Sequence, residues 1–230
     1  MERQSAVSAA IPVATPASAG GPLLRPFIRA DYAQTLEAMR VFTKTRVPES
    51  ADEIWLVEHS PVFTLGLSGR AEHLLAPGDI AVVQTERGGQ VTYHGPGQVV
   101  AYPLIDLRRR GIGVKELVYR YEQAIIQTLS AFAVDGRRIA GAPGVYVPLG
   151  GGDGAFAGWA KIAALGVRIV RGCSLHGLAV NVRMDLEPFA RINPCGYAGL
   201  RTTDLASLGV SVEPAAFAQA LGERLLAHLS

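Results

Sequence analysis

The sequence predicts an α+β domain built on a mixed, largely antiparallel sheet with flanking helices. Helical periodicity appears near the start, in the middle and at the end of the chain. Short strand-like runs at hairpin spacing fill the intervals between. From about Leu24 the composition is uniform, without internal repeat or charge block, so residues 25–230 are expected to form one domain and residues 1–24 a disordered tail.

The elements follow in order. Asp31 is a good N-cap for a helix that places Tyr32, Leu36 and Met39 on one face. Ile54 to Val57 and Val62 to Leu65 read as short strands around a His-Ser-Pro turn, and Ile80 to Thr85 and Gln98 to Ile105 add two more. A long amphipathic helix carries Val114, Leu117, Val118, Tyr121, Ile125, Leu129 and Phe132 at three- and four-residue steps. Strand-like runs return at Gly144 to Val147, Ala160 to Leu165, Val167 to Val170 and Leu178 to Val182. A last helix, from about Pro214 to Leu229, carries Phe217, Leu221 and Leu225.

Composition narrows the function classes. A 230-residue chain with 49% hydrophobic and 18% charged residues is that of an ordinary globular protein, and a domain of this size needs no disulfide or metal to hold it. The net charge of +2 argues against nucleic acid as a partner. The two cysteines, Cys173 and Cys195, form no CxxC pair, which leaves a zinc ribbon or thioredoxin-like site without support. No apolar run approaches the roughly 20 residues of a membrane span, and the Ala/Pro/Ser-rich start lacks the form of an export signal. A cytoplasmic protein with reduced thiols, no metal and no cofactor is expected.

Three stretches carry chemistry. Arg87 to Gln98 holds four glycines in twelve residues, interleaved with an arginine, a hydroxyl, a phenol and an imidazole. It fits neither GxxxxGK[ST] nor GxGxxG, and a glycine-rich turn between strands explains it equally well. In Asn193-Pro194-Cys195-Gly196-Tyr197 the flanking proline and glycine forbid regular structure, which puts Cys195 on a turn where its sulfur is reachable and nearby N–H groups can face an oxyanion. Cys173, between strand-like runs, reads as structural. Lys161 leads an apolar segment, where it is either a strand-end residue or a partner for a thiol. An ordinary thiol is only a few per cent thiolate at neutral pH. An ammonium about 4 Å away favours the thiolate by on the order of 4 kcal/mol at an effective dielectric near 20. His176 invites pairing with Cys195 or metal binding with Cys173, but a hydrogen-bonded fixture is the commoner role beside glycines.

Together these stretches resemble the lipoyl(octanoyl) transferases of lipoic acid biosynthesis. The resemblance rests on Arg87 to Pro103, Lys161-Ile162-Ala163, Gly177 to Asn181 and Asn193 to Gly196, in that order. It implies the fold of biotin and lipoate protein ligases. It also implies transfer of an octanoyl group from acyl carrier protein to a lysine of lipoyl domains, through an acyl-cysteine thioester. The acceptors implied are 2-oxoacid dehydrogenase E2 subunits and the glycine cleavage H protein, and a monomer is expected. Cys195 then falls on the nucleophile and Lys161 on the lysine that promotes its ionisation. Arg87, Gly88, Gly89, Gln90, Val91, Thr92, Tyr93 and His94 fall on the acyl pocket, with Ala164, Leu165 and Gly166 and with Gly177, Leu178 and Ala179. The glycine-rich stretch Pro148 to Trp159 is longer than the family's usual turn. Arg108, Arg109, Arg110 and Lys115 form the densest basic cluster, a candidate steering surface for an acidic carrier. The rivals are an ATP-dependent ligase of the same fold, which has no use for Cys195, and a non-catalytic binding scaffold.

Overall fold

The computed structural model describes residues 15–16, 20–152 and 154–230. Most of the expected tail, residues 1–24, therefore lies outside the described residues, although Leu23 and Leu24 already belong to a strand. The elements run β1 (Thr15–Pro16), β2 (Leu23–Ala30), α1 (Tyr32–Thr45), β3 (Glu53–His59), β4 (Val62–Leu65), β5 (Ala81–Gln84), β6 (Val91–His94) and β7 (Gln98–Leu104). They continue with α2 (Leu107–Arg110), α3 (Val114–Ala131), β8 (Arg137–Ile139), β9 (Ala142–Pro148), β10 (Trp159–Val170), β11 (Cys173–Asn181), α4 (Glu187–Ala190) and α5 (Pro214–Leu229).

Eight of these strands form a sheet in the order β1-β2-β3-β7-β11-β10-β9-β8, and β5-β4-β6 form a second, smaller one. All pairings are antiparallel except β2 with β3 and β4 with β5. The fold is α+β with a mixed, largely antiparallel sheet, as the sequence predicts. One detail differs: β3 and β4 do not pair across the His-Ser-Pro turn, because there the chain leaves the large sheet for the small one.

Strand alternation explains the layers. On one face of the large sheet Ile54, Leu56, Val99, Ala101, Leu178 and Val180 pack against Leu117, Tyr121 and Ile125 of α3 and Phe217 and Leu221 of α5. On the other, Trp55, Val57, Val100, Tyr102 and Ala179 meet Tyr32, Leu36 and Met39 of α1. With both faces covered, the central strands read as continuous apolar runs. Helix α1 begins where the Asp31 carboxylate accepts the Gln34 N–H at 2.9 Å, and it stops before Pro48, which has no N–H to continue it. The small sheet has its own core of Phe63, Leu65, Val91, Tyr93, Phe189 and Ile192. It covers the α1 side of the large sheet beside β10 and β11, and the functional cavities lie in that seam.

The expected basic cluster divides. Arg109 and Arg110 fold inward, with Arg46, onto the fully buried Asp52 carboxylate, at 2.6, 3.1 and 2.5 Å. They tie the end of α1, the start of β3 and α2 together. Arg108 remains exposed, as does Lys115. Arg109 keeps 36% of its side chain exposed, so Arg110, at 15%, is the member of the expected cluster that is largely withdrawn from the surface.

Candidate active site

Lys161 comes from β10, where the register against β9 shifts between Lys161 and Ala163. Ala160, Ile162 and Ala163 all enter the helix-facing core, so this bulge lets Lys161 and Ala164 share the opposite face. The lysine is only 4% exposed. Its Nζ donates to the Pro143 carbonyl and to Cys195 Sγ, both at 3.0 Å, and lies 5.2 Å from the centre of the Tyr146 ring. Gly144 makes room for it: a Cβ there would stand 2.5 Å from Lys161 Cε. Burial pushes the Lys161 ammonium down, but the Cys195 sulfur and the Tyr146 hydroxyl outweigh it and hold the group above its ordinary value.

Cys195 sits in a one-turn 3-10 segment, Pro194–Gly196, with φ 58° and ψ 15°. Left-handed backbone at a non-glycine residue stores on the order of 1–3 kcal/mol and persists only where neighbours enforce it. The enforcement is visible. The Asn193 N–H donates to the His73 carbonyl, and the N–H groups of Leu75 and Ala76 donate to the Arg191 carbonyl, strapping the turn to residues 73–76. The turn is where the sequence puts it, and Cys195 is partly buried rather than enclosed. The Gly196 and Tyr197 N–H groups, however, donate to Asn193 and Pro194 carbonyls, so the expected oxyanion donors are engaged within the turn itself. Cys173 is buried at the start of β11.

Two larger cavities meet at Cys195, and a small crevice beside Lys161 and Ala164 also reaches it. The first lies between β10, β11 and β7 and the glycine-rich segment. Of the expected pocket residues, Arg87, Gly89, Gln90, Val91, Thr92, His94, Ala164, Leu165, Gly166, Gly177, Leu178 and Ala179 line it, with Tyr32, Val100, Tyr102 and His176 added by the fold. Gly88 lines instead the second, wider cavity, together with Val118, Pro143, Tyr146, Lys161 and Tyr197. Tyr93 lines neither, because its ring packs on Phe63 and Phe189 in the small sheet's core.

Arg87 is buried, and its guanidinium donates to the Thr64, Gly88 and Gln90 carbonyls and to Thr64 Oγ1. It pins the loop that roofs the cavity. A buried relay runs from His94 Nδ1 to Gln98 Oε1 (2.8 Å), from Gln98 Nε2 to Asn181 Oδ1 (2.9 Å) and from Asn181 Nδ2 to the Thr203 carbonyl (2.9 Å). Thr203 N–H in turn donates to the Lys161 carbonyl. Sequence reasoning missed Tyr146, Pro143 and Gly144, which surround the lysine. Only the positive-φ capacity of Gly144 hinted at a close approach there.

A match to the lipoyl protein ligase A/B catalytic domain spans residues 31–226. The chain belongs to that family. Among curated relatives, the octanoyltransferase of Methylibium petroleiphilum is 60% identical over 214 residues, covering 88% of this chain and 96% of the relative. That of Burkholderia pseudomallei is 56% identical over 199 residues, covering 86% of each. The enzyme is thus an acyltransferase by kinship. A bipartite lipoate protein ligase from Thermoplasma acidophilum superposes with TM-score 0.69 at 15% identity, covering 89% of this chain and 83% of the other. Biotin protein ligase from Aquifex aeolicus does so with TM-score 0.54 at 11% identity, covering 90% and 69%. These two likenesses establish the shared fold.

Proposed function

We propose that the enzyme moves an octanoyl group from acyl carrier protein to a lysine of lipoyl domains, through a thioester on Cys195. The supporting observation is the 3.0 Å contact between Lys161 Nζ and Cys195 Sγ where the two cavities meet. The apolar first cavity suits the acyl chain, and the wider second one suits the pantetheine arm and then the acceptor lysine.

In the first half-reaction the Cys195 thiolate attacks the donor's thioester carbon. The new C–S bond forms as the carrier's thiolate leaves, and that thiolate takes a proton from Lys161. Acylation removes the negative sulfur that holds the Lys161 proton, while burial continues to favour the neutral amine. In the second half the acceptor amine attacks the acyl-Cys195 carbon and gives a proton to neutral Lys161. The amide forms as the Cys195 thiolate leaves, restoring the ion pair. Thioester exchange is nearly isoenergetic and amide formation is downhill, so no ATP is required. Lipoyl domains of 2-oxoacid dehydrogenase E2 subunits and of the glycine cleavage H protein are the acceptors in this reading, with a monomeric enzyme acting in the cytoplasm. The described residues contain no helix long and apolar enough to cross a membrane.

The test is incubation with octanoyl-carrier thioester without ATP, followed by intact mass and peptide mapping. Wild type and Cys173→Ala should gain one octanoyl group on Cys195, and Cys195→Ala should gain none. An adduct mapped to Cys173, or transfer that needs ATP, overturns the reading.

A further inference from the structure

The first cavity runs along β10 and β11 away from Cys195, through the pairs Ala164–Ala179, Leu165–Leu178 and Gly166–Gly177 to Val167–His176. Three residue steps at about 3.3 Å span ~10 Å. An extended eight-carbon chain, advancing about 1.3 Å per C–C bond of ~1.5 Å, spans ~9 Å.

His176 occupies the far end in an unusual way. Residues directly opposite on paired strands share a face, and Val167 faces the helical core, so ordinary alternation would send His176 there too. Instead His176 has φ 60°, and its side chain lines the cavity on the other face. Backbone strain at a β-strand histidine is invested in aiming this imidazole. The residue is only 2% exposed, and its Nε2 has no hydrogen-bond partner among the described residues. Glu86 Oε1 stands 3.9 Å from Nε2, and the Glu86 carboxylate is gripped from behind by Arg40 at 2.9 and 2.7 Å. Beyond lies a third cavity, lined by Glu86, Leu175, Val170 and Arg40 among others.

We propose that His176 is a specificity-determining residue: its imidazole, backed by the Glu86–Arg40 pair, ends the acyl cavity and limits the chain to about eight carbons. This rests on the acyl-Cys195 reading above. A longer chain would press its methyl end against a ring that is only 2% exposed, with the Glu86–Arg40 pair standing 3.9 Å behind its Nε2. The ring stands between the first cavity and Glu86, which lines the third.

The experiment measures kcat/KM and Cys195 acylation by mass for six- to fourteen-carbon acyl thioesters, with wild type, His176→Gly and His176→Phe. Glycine accepts the left-handed backbone without strain. Wild type should fall at least about tenfold between eight and twelve carbons. In His176→Gly the twelve-to-eight ratio should rise about ten- to a hundredfold, since each newly buried methylene is worth about fourfold. His176→Phe should shift the optimum to six carbons. Equal use of eight and twelve carbons by wild type, or an unchanged ratio in folded His176→Gly, overturns the proposal. If that variant does not fold, the wild-type series and His176→Asn decide, because asparagine also tolerates φ near +60°. Absence of any adduct in wild type would instead refute the acyl-enzyme reading itself.

Discussion

Replacing Gly144 by alanine tests whether catalysis depends on the exact seat of Lys161. The added Cβ would lie 2.5 Å from Lys161 Cε, 2.9 Å from Nζ and 2.8 Å from the Ala163 carbonyl oxygen. Comfortable contact needs about 3.5–4.0 Å, so the lysine must retreat by ~1 Å. The backbone has little freedom to yield instead, because the Gly144 N–H donates to the buried Glu122 carboxylate, itself held by Arg138. Gly144 also has φ 137°, a conformation that adds about 1–3 kcal/mol of strain for a side-chain residue. A displacement of ~1 Å between reacting groups lowers a rate by about a hundredfold. Stopped-flow release of carrier thiol, with intact mass of the acyl-enzyme, should show that loss in protein that still melts cooperatively. Wild-type acylation by a folded Gly144→Ala protein would falsify the placement of Lys161 beside the thiol as the catalytic requirement.

Three other perturbations give separate readings. Lys161→Arg keeps a cation near the sulfur but cannot release its proton; single-turnover assays should show some acyl-Cys195 forming yet decaying very slowly onto the lipoyl domain, and wild-type-like decay would exclude proton transfer by Lys161. Burial pushes His59 and His176 down to about 4 and His94 to about 3, with Glu86 partly countering at His176 and His59 adding to the effect at His94. Unfolded imidazoles take up protons near 6.5, so stability is complete above that pH and falls as pH drops toward 4, by up to ~3 kcal/mol per histidine; urea midpoints equal at pH 7.5 and 5 would contradict this. Asp52→Ala strips the carboxylate from three arginines, one of them Arg46 with a side chain only 6% exposed, and should cost about 3–5 kcal/mol of stability; a melting temperature within a degree of wild type would show the cluster to be dispensable.

What could be read from the sequence depended on how local the determinant was. The Asp31 cap, the three long helices and the turn at Cys195 follow from signals within a few residues, and each stands where those signals put it. Strand β10 is one element of twelve residues rather than two, because Gly166 passes through the sheet where a side chain would strike the Gly88 carbonyl. Strand β2 was invisible: Pro26 argues against a strand, and β2 is held by parallel pairing to β3, a partner far along the chain. Tyr93 sits inside the motif yet serves the small sheet's core, since β6 sends alternate residues to opposite sides. The bulge at Lys161 and the reversed side chain of His176 are set by registers that only assembled strands define.

The meeting of two cavities at one sulfur also has a kinetic meaning. In the proposed reaction, an octanoylated enzyme would keep its cargo in the inner cavity while the outer mouth empties. On that reading the departing carrier and the arriving lipoyl domain would compete for one doorway and would not be bound together. Initial-rate plots against either protein at fixed levels of the other would be parallel lines. An excess of unacylated acceptor would slow turnover by occupying the doorway of the free enzyme, so the balance between the two proteins would govern flux as much as the amount of either.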